Sequence, residues 1–179
     1  MRVFRVVNDV NHYQYFLPEK EEDALTLWMD GTPRAGSWRP PNVYIYRPKH
    51  KRGDFYQFGD DALITSPRAT DALHAHLAEA GELLPLPYEG QVFTLLNVLA
   101  CADCLDRERS IPRPGSYTSF VFRPDAAAQL QSTLFKIPET CRADLLVVEG
   151  LRAPEAEFRA VVEAAGLRGL VFEQLWESA

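Results

Sequence analysis

The sequence predicts an α+β fold in a single domain, residues 1–179, with a mainly antiparallel or mixed sheet, two main helices and a C-terminal β-α-β unit. Three observations lead there. The chain has 179 residues, 46% apolar and 25% charged, which is the usual size and composition of one globular domain. At this length roughly 70% of the unfolded surface leaves water, so no disulfide or structural metal is needed to hold a core. Many short β-branched and aromatic runs are punctuated by 13 prolines and 10 glycines, whereas only two segments carry convincing helical spacing. A doubly wound α/β sheet would need a helix between most strand pairs. Finally, residues 145–172 read strand, helix, strand.

In order along the chain, Arg2–Asn8 and Tyr13–Phe16 have strand composition. Glu19-Lys20-Glu21-Glu22-Asp23 is charged at every position and reads as a solvated loop. Gly31, Pro33, Gly36, Pro40 and Pro41 then break regular structure. Val43–Tyr46 is a strand, Arg47–Arg52 a basic turn, and Phe55–Phe58 a further strand, with the aromatics of both strands facing the core. Ser66 and Pro67 mark a helix start and Gly81 its end, with Ala69, Leu73, Leu77 and Ala80 on one stripe. Leu83–Leu86 follows, with prolines at 85 and 87. Val92–Leu99 is almost continuously apolar, the pattern of a central strand buried on both faces. Tyr117–Phe122, Leu134–Ile137 and Leu145–Val148 are strand-like, and Asp125–Leu130 is a helical turn. Pro154–Ala165 is a helix with Phe158, Val161, Val162 and Ala165 inward. Gly166 and Gly169 bracket the turn into Leu170–Phe172.

Nineteen basic against 25 acidic residues give a net charge of −6, the wrong sign for a dedicated nucleic-acid binder and suited to a basic protein partner. The charge is spread evenly, 10 basic against 13 acidic in residues 1–90 and 9 against 12 in 91–179, or −3 per half. An acidic face must therefore be made by folding. No apolar run reaches the 18 residues of a membrane span, and the N-terminus lacks a signal-peptide h-region. Three cysteines, Cys101, Cys104 and Cys141, fit free, mostly buried thiols in a cytoplasmic protein.

The densest polar cluster follows the apolar strand: Asn97, Cys101, Asp103, Cys104, Asp106, Arg107, Arg109 and Ser110. Cys101 and Cys104 supply half a zinc site, but no second pair with matching spacing exists, and His74 and His76 point to different helix faces. No metal and no cofactor are expected. Asp103 and Asp106 form an Asp-x-x-Asp pair that a small hydrolase or metal-dependent enzyme would use for acid–base or cation chemistry. The competing reading has them bonding backbone N–H groups or nearby arginines while Ser110 caps the next turn. There is no nucleophile elbow, no cysteine with an evident histidine partner and no phosphate-binding glycine loop. Arg47–Arg52, flanked by aromatics, has the composition of a single-strand binder; a solvated hairpin turn accounts for it better in an acidic chain. Trp28, Trp38 and Trp176 read as core.

Several motifs occur in a fixed order: Trp38-x-Pro40-x-x-Val43, Asp54-Phe55, Leu63-Ile64-Thr65-Ser66, Leu84-Pro85-Leu86, and Leu95-Leu96-Asn97-Val98 followed by Asp103-Cys104-Leu105-Asp106-x-x-x-Ser110. Leu134-Phe135-Lys136-Ile137, Leu145–Glu149 and Gly166-Leu-x-Gly169-Leu-x-Phe172 complete the series. This pattern resembles immunity protein family eleven of bacterial polymorphic-toxin systems, whose founding member neutralises a nuclease toxin in kin discrimination. The resemblance implies a cytoplasmic, non-enzymatic antidote to a cognate protein toxin; charge and the lack of an apolar span argue against nucleic-acid and membrane partners, and oligomeric state is left open. It assigns no catalytic role to Asn97, Asp103, Asp106 or Ser110, which read as scaffold. The acidic residues Glu19, Glu21, Glu22 and Asp23 are the first candidates for the toxin-facing surface, because carboxylates there would cover the cations of a nuclease site. An interaction domain for some other protein is the third reading.

Overall fold

A computed structural model describes residues 1–56 and 62–178. Among these residues the elements run β1 (Arg2–Asn8), β2 (Tyr15–Pro18), β3 (Val43–Tyr46), β4 (Leu63–Thr65), α1 (Pro67–Ala80), β5 (Gly81–Tyr88), β6 (Gln91–Val98), β7 (Ile111–Arg113), β8 (Ser116–Ser119), α2 (Pro124–Ala127), β9 (Leu134–Phe135), β10 (Leu146–Glu149), α3 (Phe158–Ala164) and β11 (Leu170–Glu177). The fold is α+β, as predicted, and every ladder between these strands is antiparallel. One sheet has the order β11-β1-β10-β9 and a second β4-β6-β5, while β2-β3 and β7-β8 form two-stranded ribbons. The C-terminal β-α-β unit is present in an opened form. Strands β10 and β11 both run antiparallel to β1, hence parallel to each other, with β1 inserted between them.

Strands β4 and β10 and most of β6 are buried on two faces, which is why they read as nearly continuous apolar runs. In the four-stranded sheet, Phe4, Val6 and Val147 face a cluster built around α1 and α3, while Val3, Leu146 and Val148 face one formed by Cys104, Phe122 and Ile137. In the three-stranded sheet, Leu63, Leu96 and Val98 join α1, whereas Ile64, Phe93 and Leu95 turn toward Phe16 and Val43 of the β2-β3 ribbon. Helices α1 and α3 thus lie between the sheets, and the ribbon covers the far side of the second.

Helix α1 obeys its local signals: Ser66 Oγ accepts from Ala69 N at 3.2 Å, and Pro67 occupies the first turn. His76 joins Leu73 and Leu77 on the buried stripe. The helix passes into β5 without a loop, and Gly81 makes this possible, because a Cβ there would sit 2.0 Å from the Asn97 carbonyl oxygen. Pro85 and Pro87 are tolerated because β5 is an edge strand. The carbonyl of Pro85 points away from the sheet and accepts from Trp38 Nε1 at 2.8 Å. The carboxylate of Asp54 ties α1 to the Gly166–Gly169 turn, accepting from Ser66 Oγ at 3.2 Å, Arg68 Nη1 at 3.3 Å and Arg168 N at 3.0 Å. Three of the separated motifs, those of Asp54, Ser66 and Gly166–Phe172, therefore meet at one carboxylate.

Several expectations are corrected. Residues 21–27, read as the end of a charged loop and its sequel, form a 3-10 helix (Glu21–Leu27), anchored by Leu27 at 0% exposure and favoured by three acidic residues in its first turn. The helix expected over Pro154–Ala165 splits into a 3-10 turn (Pro154–Ala156) and α3. Glu157 is extended at the break because its carboxylate turns back to accept from Gly150 N and Arg152 N, at 2.8 and 3.0 Å. Tyr117–Phe122 stays in a ribbon only to Ser119, since Phe120 and Phe122 dive into the core; the turn expected at Asp125–Leu130 is α2, and Leu134–Ile137 contributes only two ladder residues. Of the strand expected at Phe55–Phe58, Phe55 makes one bridge to Thr65; residues 57 and 58 lie outside the described residues. Trp28 is 51% exposed rather than core, and of the three cysteines only Cys104 is buried. Among the described residues, no helix is long and apolar enough to cross a membrane.

Candidate functional site

The acidic segment leaves β2 at the end of the ribbon, where Glu19 N donates to Asn42 O at 2.9 Å. Glu19, Glu21 and Glu22 are exposed, and Asp23 is half-buried. Asp23 lines an open cleft of about 690 Å³ together with Lys20, Asp30, Arg34, Trp38 and Arg39. Of the four candidate carboxylates only Asp23 thus lines this cleft of mixed charge; Glu19, Glu21 and Glu22 stand exposed on the same segment. Asp30 is held ionised below the ordinary carboxylate range, chiefly by the amide of Thr32, which donates to its Oδ1 at 2.9 Å.

The walls of this cleft are fixed from the second sheet. Asn97 on β6 is fully buried, and its Nδ2 donates to Thr32 O at 2.8 Å and to Glu82 Oε2 at 2.9 Å. The carboxylate of Glu82 also accepts from the amides of Arg34 and Ala35, at 2.7 and 3.1 Å. Burial works against the Glu82 charge, yet these donors win and hold its carboxyl below the ordinary range. Glu82, which the sequence did not single out, is therefore the hub that pins residues 32–35. Its signal lay in the register: Glu82 faces Asn97 across the β5-β6 ladder.

The other three motif residues lie in a separate region. Asp106 Oδ1 accepts from the amides of Glu108 and Arg109, at 3.2 and 3.1 Å, and Ser110 Oγ receives Val121 N at 2.9 Å. Asp103, with 62% side-chain exposure, pairs with Arg123 at 3.0 Å and Arg107 at 3.6 Å. Asp106 is spent on the turn that carries it, whereas Asp103 stays largely exposed and pairs with arginines from two segments. Burial pushes the Cys104 thiol up to about 12, so it stays protonated. Among the described residues, no group of three or more His, Cys, Asp or Glu side chains is placed to hold a metal.

The sequence reading also put Tyr44 and Tyr46 in the core, but they stand on the outer face of β3 at 41% and 39% exposure. The reason is the strand period: Val43 and Ile45 take the inward positions, pairing with Pro18 and Phe16, so the tyrosines must point out. Across the ladder they face Leu17 and Tyr15, and the rings of Tyr15 and Tyr46 lie 5.2 Å apart. Past the end of β3, Arg47 places its guanidinium over Tyr46, 5.8 Å from the ring centroid, while its Nη1 donates to Val10 O at 3.0 Å. The result is an aromatic strip between the acidic segment and the basic turn. No family model matches the chain, and no curated protein matches it either.

Proposed function

We propose that this chain is a non-enzymatic immunity protein that binds a cognate bacterial toxin, a nuclease with a basic active-site surface, and silences it in the cytosol by stoichiometric occlusion. The observation that carries the reading is the exposed acidic segment Glu19–Asp23, presented beside a cleft whose walls are pinned from the second sheet. Such carboxylates compete with nucleic-acid phosphates for the same lysines and arginines, and their field speeds and orients encounter. A rigid mount keeps the ordering cost of binding low. The order of motifs resembling the immunity family, and the use of Asp106 and Ser110 in holding a turn, support the same reading.

Co-expression tests it. Cells producing the toxin encoded beside this gene should survive when the chain is present, and the purified pair should elute as a one-to-one complex that has lost nuclease activity. Failure to rescue cells from every neighbouring toxin candidate removes the proposal.

A further inference from the structure

The antitoxin reading uses only the acidic end of the ribbon, but the ribbon has a second chemistry. Its outer face carries Tyr15, Leu17, Tyr44 and Tyr46, while Phe16, Val43 and Ile45 are consumed by the core beneath. Tyrosine exposed on a two-stranded ribbon is costly to leave in water and cheap to immobilise, and tyrosine, tryptophan and arginine dominate the energetics of protein interfaces. The strip is short. Four paired residues span roughly 13 Å at the rise of a β-strand, which is the scale of a central anchor rather than a whole interface.

Its two ends carry opposite charge. Beyond Leu17 and Tyr44 lie Glu19, Glu21, Glu22 and Asp23, with Lys20 among them; beyond Tyr46 lie Arg47, Lys49, Lys51 and Arg52. A nucleic acid, uniformly negative, would meet repulsion at the acidic end. A protein surface can match both ends. The basic end of the strip shows which side chains its tyrosines accept, because the guanidinium of Arg47 already lies over Tyr46, and an exposed tyrosine face attracts a cation by its quadrupole.

Resting on the antitoxin reading, we propose that the outer face of the β2-β3 ribbon is the affinity-determining centre of the toxin interface. Its occupant is a protein surface that sets arginine or lysine side chains over Tyr44 and the carboxylates of 19–23, and an acidic patch against Arg47–Arg52. Division of labour follows. The charged ends steer the encounter and set orientation, while the tyrosines, desolvated in the complex, set the lifetime.

The test uses the full chain and the purified, catalytically inactivated toxin domain encoded beside its gene, by stopped-flow association and surface-plasmon dissociation. Tyr44→Ala and Tyr46→Ala, each verified as folded by circular dichroism, should each raise koff at least tenfold with kon changed less than threefold. Glu21→Gln with Glu22→Gln should instead slow kon and flatten its salt dependence. Val171→Ala, on an exposed position of β11, should change neither. If the wild-type chain binds but the tyrosine variants dissociate at the wild-type rate, this inference is overturned and the antitoxin reading stands. If the wild-type chain binds no neighbouring toxin, both fall. A 20-nucleotide single-stranded RNA serves as a further probe: binding lost in Tyr44→Ala would overturn the protein-partner assignment in favour of nucleic acid.

Discussion

Replacing Asn97 tests whether the motif residue that follows the apolar run is scaffold or site. Its amide nitrogen makes two bonds, one to the Thr32 carbonyl and one to the Glu82 carboxylate, in a position of 0% exposure. A neutral bond contributes about 0.5–1.5 kcal/mol and one to a charged group about 1.5–3 kcal/mol, so Asn97→Ala should cost about 2–4.5 kcal/mol. For a domain of this size that is a fall of roughly 4–18 °C in Tm. Asn97→Asp adds a sign. It places a second carboxyl within hydrogen-bond distance of Glu82, so in the folded state the pair holds a proton well above the ordinary carboxylate range. The folded state then binds more protons than the unfolded one, and stability is lost as pH rises through the pair's folded pKa. Urea unfolding of wild type, Asn97→Ala and Asn97→Asp at pH 5 and 7.5 measures both effects. The Asp variant should be the least stable at pH 7.5 and should recover toward the Ala variant at pH 5. A pH-independent Asp variant, or an Ala variant within about 0.5 kcal/mol of wild type, the size of an ordinary surface substitution, would refute the role assigned to this residue.

Gly81→Ala should destabilise by about 3 kcal/mol or more, because the added Cβ meets backbone 2.0 Å away at Asn97 O; thermal unfolding measures it, and a neutral result would mean that the α1-β5 junction is not this tight. His76 is buried, bonded to Thr133 Oγ1 at 3.0 Å, and its pKa is lowered by burial first and then by Arg152, against the pull of Glu79 and Glu157. With the folded pKa below the unfolded value of about 6.5, stability is present above that pH and lost as pH falls below it. Urea midpoints at pH 7.5 and 5.5 should therefore drop for wild type and drop less for His76→Gln. Neutralising Glu19, Glu21, Glu22 and Asp23 together should lower Tm modestly, through the first turn of the 3-10 helix that three of them favour, while weakening toxin association at low salt more than at high salt, read by titration at both ionic strengths.

Where local chemistry decides the outcome, the sequence was sufficient. Ser66, Pro67 and Gly81 bound α1, and the almost continuously apolar run at Val92–Leu99 marks the central strand β6. The failures arose where a distant partner overrides a local pattern. The break before α3 depends on Glu157 reaching back to Gly150 and Arg152, and the helical start of residues 21–27 depends on a place for Leu27 in the core. Glu82 falls between the helix end at Gly81 and the strand expected at Leu83–Leu86, and only its register against Asn97 gives it a role. Tyr44 and Tyr46 were misassigned for a different reason. Alternation was visible in Val-Tyr-Ile-Tyr, but not which half of it the core would take, and the β-branched pair took it.

The motif residues and the proposed binding surface meet at Asn97. This residue touches nothing outside the chain, yet through Thr32 and Glu82 it holds residues 32–35, which form one wall of the cleft beside the acidic segment. Trp38, on the same wall, is fastened to Pro85 of the neighbouring strand. The strand pair β5-β6 therefore serves as the mount, and the segment from β2 to β3 as the surface it presents. Such a division lets the partner-facing residues change without loss of fold, provided that the mount is kept. It also separates two classes of variant by measurement: changes at Asn97, Glu82 or Gly81 should lower stability while the folded fraction retains its koff, whereas changes at Tyr44 or Tyr46 should raise koff at unchanged stability. Asn97→Ala that shortened the complex lifetime without lowering Tm would place this residue in the interface and break the separation.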